Sequence, residues 1–126
     1  MMWGAMPRRL RADGEEEESI HVSSVPDDLR AAVAKLAEER SKLKSRVLPR
    51  DIYAEAISDF LAALDARTEA EWLASRQGGK RLMAWLPVNL AERFQETAKR
   101  HRISHTVLFL AAMRRYFKER GESVDL

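Results

Sequence analysis

Few residues of this chain are placed to carry out a chemical reaction. Its 126 residues include no cysteine, so no thiolate can attack a substrate or bind a metal. His101 and His105 have the spacing of a metal pair on a helix, but they fall across a predicted helix break and lack a third ligand nearby. The adjacent acids Asp27 and Asp28 suit a helix start better than acid–base catalysis. We therefore expect no enzymatic activity, no metal and no cofactor.

Basic residues are concentrated in the last third of the chain. The net charge is only +2 overall, whereas residues 80–120 hold ten basic and three acidic residues, a net charge of +7. Such a segment attracts phosphate through its long-range field, although a solvated basic surface would look the same in sequence. No apolar run approaches the ~18 residues that a membrane span needs. We expect a bacterial cytoplasmic protein with no membrane partner.

One order of elements is predicted twice along the chain. Ile20 and Val22 alternate with polar residues, which is typical of a strand. Pro26 and Pro49 then each begin a helix, because proline is favoured in the first helical turn. Residues 80–86 predict a second strand, Pro87 begins a third helix, and Ser104 is a good N-cap for a fourth.

These elements divide the chain into five parts. We expect a disordered arm over residues 1–18, a first unit over 19–66, a linker with a short helix over 67–79, a second unit over 80–120 and a tail over 121–126. A single unit would leave its one strand unpaired and one helical face open. Two units together can pair their strands and bury the open faces of their helices against each other.

The two halves resemble the ribbon-helix-helix motif of the MetJ/Arc superfamily. The likeness is clearest in Lys-Arg-Leu-Met-Ala-Trp-Leu-Pro-Val-Asn-Leu, residues 80–90, and in the turn Arg-Ile-Ser-His-Thr, residues 102–106. The resemblance implies a mainly α fold with a short two-stranded antiparallel ribbon, in which two ribbon-helix-helix units form an intrachain pseudo-dimer. It extends to the tandem, TraY-type DNA-binding proteins of conjugative plasmids.

A two-stranded ribbon in the major groove presents every second side chain to the bases. If Leu82, Ala84 and Leu86 face the core, the base-facing residues are Arg81, Met83 and Trp85, with His21 and Ser23 from the first strand. Arg81 suits guanine. Met83 and Trp85 either touch thymine methyls or are covered by the arm or by a partner. An extra serine in Val22-Ser-Ser-Val25 predicts a β-bulge.

Phosphate contacts are expected where the second helix of each unit begins, because free amides and the helix dipole favour an anion there. In the second unit we expect Ser104, His105 and Thr106, helped by Arg102 and by Lys80 on the strand. In the first unit Leu48 replaces the capping serine and Pro49 has no amide, so Arg46 and Arg50 must compensate. The two units should therefore bind DNA phosphate with unequal strength.

The predicted function is sequence-specific binding of double-stranded DNA, as a transcriptional regulator or a plasmid transfer (relaxosome) accessory protein. A second copy of the chain on an adjacent site is an expected partner. The alternative is a protein-interaction module, such as an antitoxin or adaptor, that uses the motif only for pairing. In that case Trp72, Met83 or Trp85 would contact a protein partner.

Overall fold

The protein is described by a computed structural model, in which residues 8–10, 14, 16–43, 46–66, 72 and 79–121 are described. Three strands and four helices alternate along the described residues. They are β1 (Arg8–Leu10), β2 (Glu16–Val25), α1 (Asp27–Leu43), α2 (Pro49–Asp65), β3 (Lys80–Pro87), α3 (Val88–His101) and α4 (His105–Glu119).

The three strands form one antiparallel sheet with β2 in the centre. Ile20 and Val22 of β2 are buried opposite Ala84 and Leu82 of β3, and the helices pack on this inner face. Ala84 and Leu86 are buried and Leu82 is partly buried against the core, so the predicted alternation of β3 is confirmed.

The predicted bulge near the end of β2 is also confirmed. The register between β2 and β3 shifts between Val22 and Val25, and Ser24 adopts a φ of 55°. Gly79 lies directly against this bulge, since a Cβ atom there would come within 2.3 Å of the carbonyl carbon of Ser24. Only glycine fits this approach, which fixes where β3 begins.

The helices share one core with the sheet. Two aromatic rings, those of Tyr53 in α2 and Phe109 in α4, lie 5.4 Å apart, and Phe94 of α3 is fully buried. Burying an aromatic or aliphatic side chain of this size stabilises a fold by about 1.5–3 kcal/mol. As predicted, α2 begins at Pro49, and Ser104 caps α4 by accepting a hydrogen bond from the Val107 amide (3.1 Å).

The predicted fold class is wrong. The structure is mixed α/β, with four helices and a three-stranded antiparallel sheet, and it is not a two-stranded ribbon built from two tandem units. The additional strand, β1, comes from the segment we expected to be a disordered arm, as does the start of β2 over residues 16–18. Its pairing is favoured by charge, because Arg9 lies opposite Glu17 and forms an ion pair with it (3.3 Å).

Some predictions fall outside the described residues. These are most of the linker, including its expected short helix, the tail beyond residue 121 and the arm apart from 8–10, 14 and 16–18. Among the described helices, none is long and apolar enough to cross a membrane.

A cluster of charged and aromatic side chains joins α1, α2 and α4 at the side of the molecule. Glu55 of α2 accepts hydrogen bonds from Arg40 and from the Tyr116 hydroxyl (2.9 Å), and Arg120 lies 3.4 Å from it. Burial alone would raise the pKa of Glu55, but the hydrogen bonds and the two arginine charges outweigh it, so the pKa is lowered. Burial and Glu55 together raise the pKa of Tyr116 to about 12.

We predict that Glu55→Gln lowers stability at neutral pH and flattens its decline in acid. Because the folded-state pKa of Glu55 is below its ordinary value of 4.5, its contribution is complete above that pH and disappears as pH falls through the lowered value. Urea unfolding from about pH 3 to 7 measures this. Asp59→Asn is the control, since Asp59 is an exposed carboxylate of α2 that makes no ion pair with described residues. Parallel curves for Glu55→Gln and wild type would contradict the assignment.

Candidate functional site

The face of the sheet that points away from the helices carries the predicted contact residues. Residues directly opposite each other in antiparallel strands project to the same side of a sheet. His21 lies opposite Met83, Ser19 opposite Trp85, and Glu17 opposite both Pro87 and Arg9. These residues, with Ser23 and Arg81 farther along, define what we call the outer face.

One half of the outer face is open. It borders a pocket of about 480 Å³ lined by β2, β3 and the start of α4, namely by His21, Val22, Ser23, Arg81, Leu82, Met83, His105 and Thr106. Met83 is 51% exposed, and His21, Ser23 and Arg81 are exposed as well. We call this half of the outer face the open half.

The other half, which we call the covered half, is partly covered by the side chain of Arg9, which reaches across from the edge strand β1. The Arg9 guanidinium lies over the Trp85 ring, 4.1 Å from its centroid. At this half, Glu17 is 1% exposed and Ser19 is fully buried, although both belong to the outer face. The Trp85 ring is therefore partly covered by Arg9, whereas Met83 is exposed.

The beginning of α4 forms one wall of the open half. The Thr106 hydroxyl accepts a hydrogen bond from the Ser23 amide (2.9 Å) and lies 3.2 Å from the Ser23 hydroxyl, so it joins α4 to β2. The Ser104 hydroxyl accepts a hydrogen bond from the Val107 amide. Among the described residues, the amides of His105 and Thr106 have no hydrogen-bond partner, so this helix end is available to an anion.

The beginning of α2, at the covered half, has different surroundings. Asp51 accepts a hydrogen bond from the Leu48 amide (2.8 Å), which places a carboxylate at this helix end. Arg50 is drawn to the buried Glu17, 3.4 Å away. The positive charge of Arg50 is thus partly neutralised within the fold, and this helix end is a poorer site for phosphate.

Four predicted contact residues carry free positive charge. Within the described parts of the chain, the side chains of Lys80, Arg81, Arg102 and Arg46 are exposed and make no ion pair. Arg30 of α1 donates a hydrogen bond to the backbone carbonyl of Arg81. This contact holds the backbone of β3 at Arg81, while the side chain of Arg81 itself lines the pocket.

Burial favours the neutral form of His105 at the pocket. Its ring packs against Phe94 with centroids 5.3 Å apart, and burial lowers its pKa from 6.5. His101, its neighbour four residues earlier, instead stacks on Trp72 (5.4 Å). Trp72 also packs edge-on against Phe60 (5.9 Å), so it belongs to the core surface. Among the described residues, no three His, Cys, Asp or Glu side chains are grouped as a metal ion would need.

The structure gathers half of the predicted contact residues around the pocket and separates the rest. His21, Ser23, Arg81, Met83, His105 and Thr106 line it. Trp85 and Arg50 lie at the covered half. Sequence reasoning missed Arg9, Glu17 and Ser19 as parts of this face. One signal was present, since two arginines at residues 8–9 precede the acids 16–18 by a gap that contains Gly14, as in a hairpin of opposite charges.

No family model, curated protein or solved structure matches the chain. Its function must therefore be argued from this geometry.

We predict that Thr106→Val destabilises the protein by about 1–3 kcal/mol, because the partly buried Ser23 amide loses its acceptor while the side-chain volume is kept. Urea denaturation gives the free energy of unfolding. Thr97→Val is the matched control, since Thr97 is also helical and buried but makes no side-chain hydrogen bond with described residues. Equal losses for the two variants would show that the Ser23–Thr106 contact does not stabilise the site.

Proposed function

We propose that this protein binds double-stranded DNA through the outer face of β2 and β3, as a transcriptional regulator or a plasmid transfer accessory protein. One observation carries the proposal. The open half places the exposed side chains of two paired strands beside a helix start where two amides have no hydrogen-bond partner among the described residues. A β-ribbon of two strands fits the major groove, and a helix N-terminus binds the neighbouring phosphate.

Each side chain of the open half has a role in this proposal. Arg81 is suited to guanine, whose O6 and N7 accept two hydrogen bonds from one guanidinium. Exposed Met83 is suited to the methyl group of thymine. His21 and Ser23 offer further hydrogen bonds at base edges. The amides of His105 and Thr106 would hold a phosphate, and Lys80 and Arg102 would add charge that no described carboxylate neutralises.

The grip on DNA should be uneven. At the covered half, Trp85 lies under Arg9, and Arg50 is engaged by Glu17. Among the described side chains at the start of α2, Arg46 is an exposed cation without an ion pair. We therefore propose that the open half supplies most of the affinity. A second copy on an adjacent site, and a relationship to ribbon-helix-helix proteins, stay predictions.

The structure favours DNA binding over the protein-interaction alternative. Two of the three aromatic or apolar anchors that a protein partner would need are occupied, because Trp72 packs on Phe60 and Trp85 lies under Arg9. Met83 is exposed, and the exposed side chains beside it on the outer face, His21, Ser23 and Arg81, are polar or charged. An interface between proteins usually has a larger apolar centre.

We predict different losses for a base contact and a phosphate contact. Arg81→Ala should reduce discrimination between the preferred duplex and random duplex by about 1–3 kcal/mol. Arg102→Gly should weaken binding to both duplexes alike and reduce the salt slope by about one. Glycine is chosen because Arg102 has a φ of 56°, which glycine adopts without strain. Fluorescence anisotropy at several salt concentrations, after selection of the preferred sequence, measures both.

Lys42→Ala is the control for simple loss of charge. Lys42 lies on α1, away from the outer face, and among the described residues it forms an ion pair only with Glu38 (3.9 Å), so its removal should leave binding almost unchanged. If Arg81→Ala weakens specific and random DNA equally, Arg81 does not read bases. If the wild-type protein binds no duplex even at low salt, the proposed function is wrong.

We also predict that DNA affinity rises as pH falls from about 7.5 to 6. A phosphate near His105 favours its protonated form, whereas burial in the free protein lowers its pKa from 6.5, so binding should take up a proton. His105→Gln should flatten the pH dependence. His101→Gln should leave it as in the wild type, since His101 lies on Trp72 and not at the pocket. Identical pH profiles for wild type and His105→Gln would exclude a phosphate at this position.

A further inference from the structure

We propose that β1 is a displaceable cover over half of the outer face, and that β1 and duplex DNA compete for this half. The inference rests on the proposed DNA binding and adds its regulation. It depends on three features of the structure: the position of the Arg9 side chain over the outer face, the shortness of β1, and the width of the sheet when β1 is present.

The surface beneath β1 is continuous with the open half. Trp85 follows Met83 on the same face of β3, and Ser19 follows His21 on the same face of β2. The hydroxyl of Ser19 lies 3.3 Å from Nε2 of His21. Removing Arg9 from Trp85 would therefore extend the row of side chains available to a groove from Arg81 to Trp85.

The strand β1 is short and lies at the edge of the sheet. It has three residues, paired with Glu16, Glu17 and Glu18 of β2. Two of its side chains are exposed, Leu10 at 73% and Arg9 at 39%. Arg9 forms an ion pair with Glu17 and lies over Trp85. A strand this short adds little stability, so it can separate without unfolding the core.

The width of the sheet makes the competition steric. The major groove, about 12 Å wide, admits a ribbon of two strands. A third strand widens the ribbon by about 4.8 Å at the end where β1 pairs. If β1 stays in place, DNA can approach only the open half. If β1 separates from β2, Glu17 keeps its ion pair with Arg50 at 3.4 Å, so the separation does not leave a buried carboxylate without a partner.

The direct test locks β1 in place. The chain contains no cysteine, so Leu10→Cys with Glu16→Cys, at positions directly opposite in register, adds a single disulfide that reductant can open. We expect the reduced form to bind a duplex carrying the selected sequence at least tenfold more tightly than the oxidised form. Equal affinities would overturn the cover and leave DNA binding intact. No binding by either form would refute the proposed function, and with it the competition.

A second variant keeps the test independent of the disulfide. Arg9→Ala removes a positive charge, which alone weakens DNA binding, so a gain in affinity can come only from uncovering the face. We expect such a gain, while Lys42→Ala gives none. In the wild type without DNA, the amides that pair β1 with β2 should exchange with solvent far faster than those of Ile20 and Val22. Exchange of both sets only through global unfolding would overturn the proposal.

Discussion

The antiparallel pairing of β2 with β3 is the constraint on which the rest of the structure depends. It brings together strands that lie more than fifty residues apart, at residues 16–25 and 80–87. The pairing gives hydrogen-bond partners to the backbone N–H and C=O groups along one edge of β3. The central strand β2 has such partners on both sides, in β1 and β3. It also sets the register that turns Ile20 and Ala84 toward the helices and His21 and Met83 away from them. The same register of β2 and β3 therefore positions the core residues on one face of the sheet and the candidate site residues on the other.

The asymmetry of the outer face follows from the two helix starts that flank it. At α4, Thr106 contacts Ser23 through its hydroxyl, and two amides remain without a partner among the described residues. At α2, a proline, the Asp51 carboxylate and the Arg50–Glu17 ion pair occupy the equivalent space. The strand β1 adds to this difference by placing Arg9 on Trp85. The α4 end of the face thus favours an anion. At the α2 end, carboxylates of the protein itself offset the positive charge of Arg50 and of the helix start.

Local signals predicted much of the fold. Pro49 and Ser104 mark helix starts because their effects on the first turn do not depend on distant residues, and the alternation of Leu82, Ala84 and Leu86 indicates which face of β3 is buried. The strand β1 could not be predicted in this way. It has no apolar alternation, and its pairing depends on acids that sequence alone suggests are solvated. Its presence turns the expected ribbon into a three-stranded sheet and places Arg9 over Trp85, a tertiary contact that no local sequence signal indicates.

The methionines allow the most direct test of the central claim, that the open half contacts DNA. Met83 is 51% exposed on the outer face, whereas Met113 is fully buried in α4. In a protein labelled with ¹³C at the methionine methyl groups, titration with duplex DNA should shift the Met83 resonance and leave that of Met113 in place. A duplex that binds, as shown by anisotropy, without moving Met83 would place the DNA elsewhere and contradict this account.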